Sequence, residues 1–433
     1  MLLLTTAICW LLVPCVALLS AILYHRIKYF RRTKRKTWAF FHPYCSSGGG
    51  GERVLWKMVQ VLSDLHHKGW HVDELLSSAP RFSLLMESLG TMQLAYQGFL
   101  RQYKNTGVLP DIFLDTTGCA FTFVVASILF GSRIIPYVHY PTISTDMLQL
   151  VWERRRSSYN HQDYISSSRV TTYVKLLYYI GFAVLYGMVG SLSTLVLVNS
   201  TWTYNHIQSL WKGAAWSKDR IRILYPPCRV AVPSKNGPKR EKIVLSIGQF
   251  RPEKDHNLQL EAFAYLLKNH AELRGQVQLV LLGGCRGESD QRRLEALQVL
   301  AGTLQLESSV QFVVNQKYSV VEHWLQKSSV GIHTMWNEHF GIGIVEMMAA
   351  GLIVVAHNSG GPKLDIVTEY KSQSTGFLAT TKEEYAQAMY RAFTMGSAES
   401  QAMRQAAQKS ASRFSDVVFA KSFEEILLQA NLL

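Results

Sequence analysis

No Asp, Glu, Lys or Arg occurs in the first 24 residues, and acidic side chains are scarce throughout, 31 against 45 Lys and Arg. The formal net charge of +14 calls for an anionic partner. No compact basic and aromatic motif accompanies it, which excludes nucleic acid and leaves lipid headgroups or phosphorylated ligands. The six cysteines, Cys9, Cys15, Cys45, Cys119, Cys228 and Cys285, form no C-x-x-C pair. Neither a zinc site nor a disulfide framework follows from them, and a reducing compartment is the simpler setting. An Asp-x-Asp pair, of the kind that holds a cation against a diphosphate, is absent as well. With 18% charged and 48% hydrophobic residues, the chain is not of the disordered class and leans toward membrane contact.

The uncharged start is long enough to cross a hydrocarbon core of roughly 30 Å at about 1.5 Å per residue. It lacks the basic n-region and small-residue cleavage site of a secretory signal. Residues 1–24 are therefore predicted to be a transmembrane anchor, and 25–36 a basic juxtamembrane segment holding Arg26, Lys28, Arg31, Arg32, Lys34, Arg35 and Lys36. Positive charge on the carboxyl side places the remainder in the cytosol. A second apolar stretch, 173–192, carries only Lys175. It reads either as a helix dipping into the cytosolic leaflet or as a core helix, because the strand-like run 193–200 must rejoin the sheet formed before it. Asn199, Ser200 and Thr201 form a glycosylation sequon that a cytosolic domain leaves unmodified.

From Thr37 onward, short apolar runs alternate with helical patterns over a length sufficient for two or three domains. Strands are predicted at 38–45, 111–115, 134–140 and 193–200, and again at 242–250, 277–284, 310–315, 330–335 and 352–357. The polar stretch 232–242 separates the two sets. The predicted class is α/β, two Rossmann-like domains facing a cleft, at 37–231 and 242–412, with a C-terminal helix at 413–433.

The most informative run is IHTMWNEHFGIGIVEMMAAG, where Glu338 lies in a loop after an apolar strand and Glu346 about a turn into the next helix. Ligands of parallel sheets bind at this carboxyl edge. A carboxylate there can hold two neighbouring hydroxyls of a ribose or a sugar. Glu346 is the only charged residue between His339 and Lys363, in a segment built for burial, where an idle carboxylate is costly. Gly341, Ile342 and Gly343 open that helix beside the donor. Gly48, Gly49, Gly50 and Gly51 join the first strand to a helix, giving backbone N–H groups a close approach to a phosphate or sugar. Arg251 and Lys254 lie just beyond a strand end, facing the loop that carries Glu338, where two cations can neutralise a diphosphate leaving group. His139 ends another strand and is a candidate contact to a transferred sugar. The turn 358–363 offers further backbone donors.

Together FFHPYCSSGGGGERVLW, YVHYPTISTDML, SIGQFRPEK, HTMWNEHFGIGIVEMMAAG and AHNSGGPKLDIV resemble glycosyltransferase family 4 across most of residues 37–420. The resemblance implies a GT-B fold, with 37–231 the N-terminal acceptor domain and 242–412 the donor-binding domain, and a retaining α-1,2-mannosyltransferase with GDP-mannose as donor and no cofactor or metal. It further implies a dolichol-diphosphate-linked oligosaccharide as acceptor, extended by its fourth and fifth mannoses on the cytosolic face of the endoplasmic reticulum for N-glycosylation. Partners so implied are the membrane and other mannosyltransferases of the pathway. By the same resemblance Glu346 takes the ribose, Glu338 lies near the donor sugar, Arg251 and Lys254 take the diphosphate, and His139 stands at the reaction centre. One departure stands out. After Val72 the chain is several dozen residues shorter than the family pattern, which puts acceptor binding in doubt and keeps open a catalytically weak or non-catalytic membrane-bound partner. A sugar-nucleotide epimerase on the same fold has no need of the membrane anchor.

Overall fold

Two all-parallel sheets organise the chain in the computed structural model, which describes residues 19–25, 36–42, 49–66, 84–144, 169–215, 219–230 and 240–433. The chain divides into two compact units. The first comprises Met1–Asn199, Thr203–Leu224 and Phe423–Leu433, and the second Ser200–Trp202 and Tyr225–Ser422.

The sheet of the first unit runs in order β1 (Trp38–Phe41), β2 (Ile112–Asp115), β3 (Arg133–Val138), β4 (Val196–Val198), β5 (Ile221–Ile223). β2 is buried along its length, whereas every residue of β1 is only partly covered. Apolar residues recur at helical spacing in Gly50–His66, and Val54, Leu55, Met58, Val61 and Leu62 are buried as one face. The helix before the second strand is Leu84–Thr106. β5 was not anticipated, since its sequence, Ile-Arg-Ile, offers no apolar run like that of the equally short β4.

All but the last two residues of the apolar stretch 173–192 lie in the helix Arg169–Gly190, whose two faces answer different readings. Phe182 and Tyr186 are buried, with rings 5.4 Å from Phe121 and 5.3 Å from Trp211 respectively. Tyr173, Leu177, Ile180, Val184 and Met188 recur three or four residues apart and are exposed. The transmembrane expectation for 1–24 is not supported. Most of that segment lies outside the described residues, and among the described residues no helix is long and apolar enough to cross a membrane.

The second unit's sheet has the order β11 (Gly376–Ala379), β10 (Ile353–His357), β9 (Ser328–His333), β6 (Glu241–Ile247), β7 (Gln278–Gly283), β8 (Val310–Val314). Its inner strands β10, β6 and β7 carry the near-continuous Val, Ile and Leu runs of a sheet covered on both faces. One core packs His256–Asn269 and Lys382–Thr394 against it, through Leu260, Phe263, Leu266, Tyr385 and Met389. The other is built on Ile344, Val345, Met347 and Met348 of the helix Ile342–Ala349. The C-terminal segment forms the helix Asp416–Gln429, and its end from Phe423 belongs to the first unit.

Candidate donor site

The second sheet starts at β6 and grows in both directions, with β7 and β8 to one side and β9, β10 and β11 to the other. The strand order thus reverses between β6 and β9. At such a switch point the loops leaving two neighbouring parallel strands diverge and open a crevice at their carboxyl ends. Arg251 and Lys254 follow β6, and Glu338 follows β9.

Lys254 Nζ lies 2.5 Å from Glu338 Oε2 and 3.3 Å from Met335 Sδ. His333, the last residue of β9, places Nε2 3.1 Å from the same Oε2. Thr334 locks the two loops together. Its hydroxyl donates to the carbonyls of Lys254 (2.8 Å) and Asp255 (3.0 Å) and accepts from Gln259 Nε2 (2.9 Å). Burial pushes the Glu338 carboxyl up, but the Lys254 ammonium, the His333 hydrogen bond and the neighbouring histidines outweigh it and hold the group well below the usual carboxylate range. His333 is lowered by burial, so its ring is neutral near pH 7. The buried His256 falls to about 4, through burial first and the charges of Lys254 and His333 after it.

The Glu338 loop is held from behind by the turn 358–363, in a way the sequence reading did not foresee. The Gly361 N–H donates to the Glu338 carbonyl at 2.8 Å, and Asn337 N–H to Ser359 Oγ at 2.8 Å. A β-carbon on Gly361 would stand 2.6 Å from the His339 carbonyl oxygen and 2.7 Å from Phe340 Cα. The donors expected to face a ligand from this turn are therefore in part spent on the protein itself.

Glu346 lies half-buried in the helix Ile342–Ala349, which opens at Gly341 with φ +114, a backbone that favours glycine. A β-carbon on Gly343 would stand 3.4 Å from the Ile247 carbonyl oxygen, so this helix start sits against the end of β6. Tyr318 was not anticipated. Its hydroxyl is raised by burial and then by the negative charge of Glu346, and the Arg229 guanidinium stacks 3.9 Å from its ring centre. Arg251 precedes the short helix Pro252–Lys254, exposed and without an ion pair among the described residues.

The remaining candidates gather in the first unit. Gly48 lies outside the described residues. Gly49 precedes, and Gly50 and Gly51 open, the helix Gly50–His66. A β-carbon on Gly51 would stand 3.6 Å from His139 Nε2 and 3.5 Å from His42 Cε1. The glycine run and His139 are thus brought together, joined by His42, which the sequence reading passed over. His42 Nδ1 lies 2.6 Å from Thr116 Oγ1, and its Nε2 3.9 Å from Glu52 Oε1. Among the described residues no group of three His, Cys, Asp or Glu side chains is placed to hold a metal.

Two units with parallel sheets and a site at the switch point define a GT-B glycosyltransferase, and solved structures agree on the fold. The sucrose-phosphate synthase from Thermosynechococcus elongatus superposes with a TM-score of 0.66 at 17% identity, covering 91% of this chain and 99% of that one. The Anabaena protein Alr3699/HepE in complex with UDP and glucose gives 0.59 at 18% identity, covering 91% and 99%. The family model "ALG11 mannosyltransferase N-terminus" matches residues 35–72 and 65–211, and "Glycosyl transferases group 1" matches 231–410. A Xenopus laevis protein named GDP-Man:Man(3)GlcNAc(2)-PP-Dol alpha-1,2-mannosyltransferase is 42% identical over 90% of this chain and 87% of its own. The Homo sapiens protein of the same name is 40% identical over 89% and 85%. The chain belongs to this family of α-1,2-mannosyltransferases.

Proposed function

We propose that the chain transfers mannose from GDP-mannose to a dolichol-diphosphate-linked oligosaccharide, with retention, adding the fourth and fifth mannoses in α-1,2 linkage. The observation that carries the reading is the ionised Glu338 held against Lys254 at the switch point, in a chain 42% identical to a protein of that name. Glu346 takes the ribose hydroxyls and Glu338 the donor sugar. Arg251 and Lys254 neutralise the diphosphate as its leaving charge develops, which is electrostatic stabilisation without a metal. Gly341, Ile342 and Gly343 bring the helix start to the donor, while Gly48 to Gly51 and His139 serve transfer from the acceptor domain, 37–231. The donor domain spans 242–412.

The same reading places the protein at the cytosolic face of the endoplasmic reticulum membrane, where other mannosyltransferases of the pathway are its partners. The exposed apolar face of Arg169–Gly190 supports contact with that lipid surface. So does the basic run 26–36.

Incubating the purified chain with labelled GDP-mannose and a lipid-linked trimannosyl acceptor, in EDTA, tests the reading. Extension by two α-1,2-linked mannoses is the expected result. No extension, or extension only after manganese or magnesium is restored, overturns the reading or its metal-free part respectively.

A further inference from the structure

His333 fills a position where a polar ring is expensive. Its side chain is 7% exposed, and Nδ1 is buried with no hydrogen-bond partner among the described residues. A leucine there would pack the same volume without stranding a polar atom. The main chain does not require a histidine either, since its carbonyl is satisfied by the Tyr385 hydroxyl at 2.9 Å. What the ring does is point Nε2 at Glu338 Oε2 across 3.1 Å. A carboxylate only accepts, so the proton sits on Nε2. Lys254 Nζ approaches the same oxygen, and no described side chain donates to Oε1.

We propose that His333 is a positioning residue for mannosyl transfer: its Nε2–H, with Lys254, fixes one oxygen of Glu338 and thereby presents the other to the donor sugar. Two donors converging on one oxygen remove the freedom of the carboxylate to rotate about its terminal bond. The partner oxygen is then aimed without reorganisation at the moment of reaction. This rests on the reading that Glu338 faces the donor sugar. The titratable groups around the pair are Lys254 and His339 toward Glu338, and Lys254, His256 and His357 toward His333.

The test compares His333→Leu and His333→Gln in the full chain. Losing a hydrogen bond to a charged group corresponds to roughly a tenfold to hundredfold change, and that fall is expected in kcat for His333→Leu. GDP, which lacks the sugar, should bind both variants within about twofold of wild type, as read by calorimetry. The acid limb of the pH profile should move to higher pH in His333→Leu. Glutamine, whose amide N–H reaches a similar place, should recover most of the rate and return the limb. A kcat for His333→Leu within about threefold of wild type overturns the proposal. So does a parallel fall in GDP affinity and thermal midpoint with no recovery in His333→Gln, which is what a merely structural role predicts. Nitrogen-15 NMR of labelled histidine decides the question independently of turnover. The Nε2–H form is expected in wild type and should be disturbed by Glu338→Leu, whereas an Nδ1–H form removes the donor on which the inference depends. Wild-type chain that shows Nε2–H but transfers no mannose would sink the mannosyltransferase reading and leave the positioning geometry standing.

Discussion

Lys254 Nζ stands 2.5 Å from Glu338 Oε2, tying the loop that leaves β6 to the loop that leaves β9 across the switch point of the second sheet. The two side chains are 23% and 13% exposed, so solvent does little to replace either partner if the other is removed. Lys254→Ala should therefore lower kcat by at least tenfold to a hundredfold, about the worth of a charged hydrogen bond, and more than it raises the donor KM. Arg251→Ala, at an exposed site, should cost less. The pH profile supplies the sign. Without the ammonium, burial pushes the Glu338 carboxyl upward, and activity should be lost at higher pH than in wild type. The pair's contribution to stability is present above the unfolded carboxylate value and lost as pH falls through the depressed folded one. Thermal midpoints of variant and wild type should accordingly converge in acid.

Glu346→Ala should weaken GDP binding roughly tenfold to a hundredfold, because ribose hydroxyls lose a charged acceptor worth about 1.5–3 kcal/mol. Isothermal titration with GDP reads this directly. Unchanged affinity would remove Glu346 from the nucleotide site. The nearby Tyr318 provides an internal check, since the Glu346 charge contributes to its raised pKa. Spectrophotometric titration should show that tyrosine ionising at lower pH in the variant.

Gly361→Ala tests the support behind Glu338. The added carbon would meet main-chain atoms of His339 and Phe340 at 2.6 Å and 2.7 Å, and neither can swing aside. A loss of about 1–3 kcal/mol in stability is expected from such overpacking. Transfer should fall further than GDP affinity does, because the displaced loop carries Glu338. Equal losses in both would mean that the turn supports the whole unit and not this loop in particular.

Asp115 ends β2 fully buried, with Oδ1 accepting from Thr117 N–H at 2.9 Å and from its hydroxyl at 2.7 Å. Burial raises its pKa to about 6 against those bonds. A raised carboxyl contributes stability below its unfolded value and loses it as pH climbs through the folded one. The difference is about 3 kcal/mol for a shift of this size. Asp115→Asn keeps the Oδ1 acceptor and removes the titration. Relative to wild type the variant should gain about that amount between pH 4 and pH 7.5, measured by urea denaturation. A difference that does not change with pH would show that the carboxyl titrates normally.

The parts of the site that carry charge in an apolar setting were legible in the sequence, because Glu338 and Glu346 are conspicuous in a run otherwise built for burial. Lys254 was read as facing the loop that carries Glu338, as it does, but with a ligand diphosphate as its target; its direct ion pair with Glu338 left no signal in the spacing. His333 and His42 left no such signal. A single histidine at a strand end looks the same whether it is idle or aimed at a carboxylate, and only the parallel pairing of β6 with β9 brings Lys254 and Glu338 to one place beside His333. β5 and β11 lie in polar surroundings without a sustained apolar run, unlike the equally short β2 and β4. The sequon at Asn199 also changed meaning. Its amide donates to the His139 carbonyl at 2.9 Å and accepts from Thr203 at 2.6 Å in a buried position, so a missing glycan reports the fold as much as the compartment.

The two sheets of this chain differ in one respect that bears on the acceptor. In the second, the first strand, β6, is central, with strands on either side. In the first, β1 pairs only with β2, and among the described residues nothing pairs with its other edge. A doubly wound sheet places its second and third strands there. Those strands would come from between the helices Gly50–His66 and Leu84–Thr106, where the sequence reads as shorter than the family pattern and where the N-terminal family model matches in two overlapping stretches, 35–72 and 65–211. Every residue of β1 is partly exposed, as on a strand with no neighbour among the described residues. Inserting a relative's longer segment between Val72 and Asp73 should therefore raise the thermal midpoint of the first unit and lower the KM for the lipid-linked acceptor, while GDP affinity, which the proposed function assigns to the second unit, stays the same. If the insertion changes GDP affinity and leaves the acceptor KM alone, the division of labour between the two units is wrong. If it changes neither, β1 is a complete edge strand and the missing residues are dispensable.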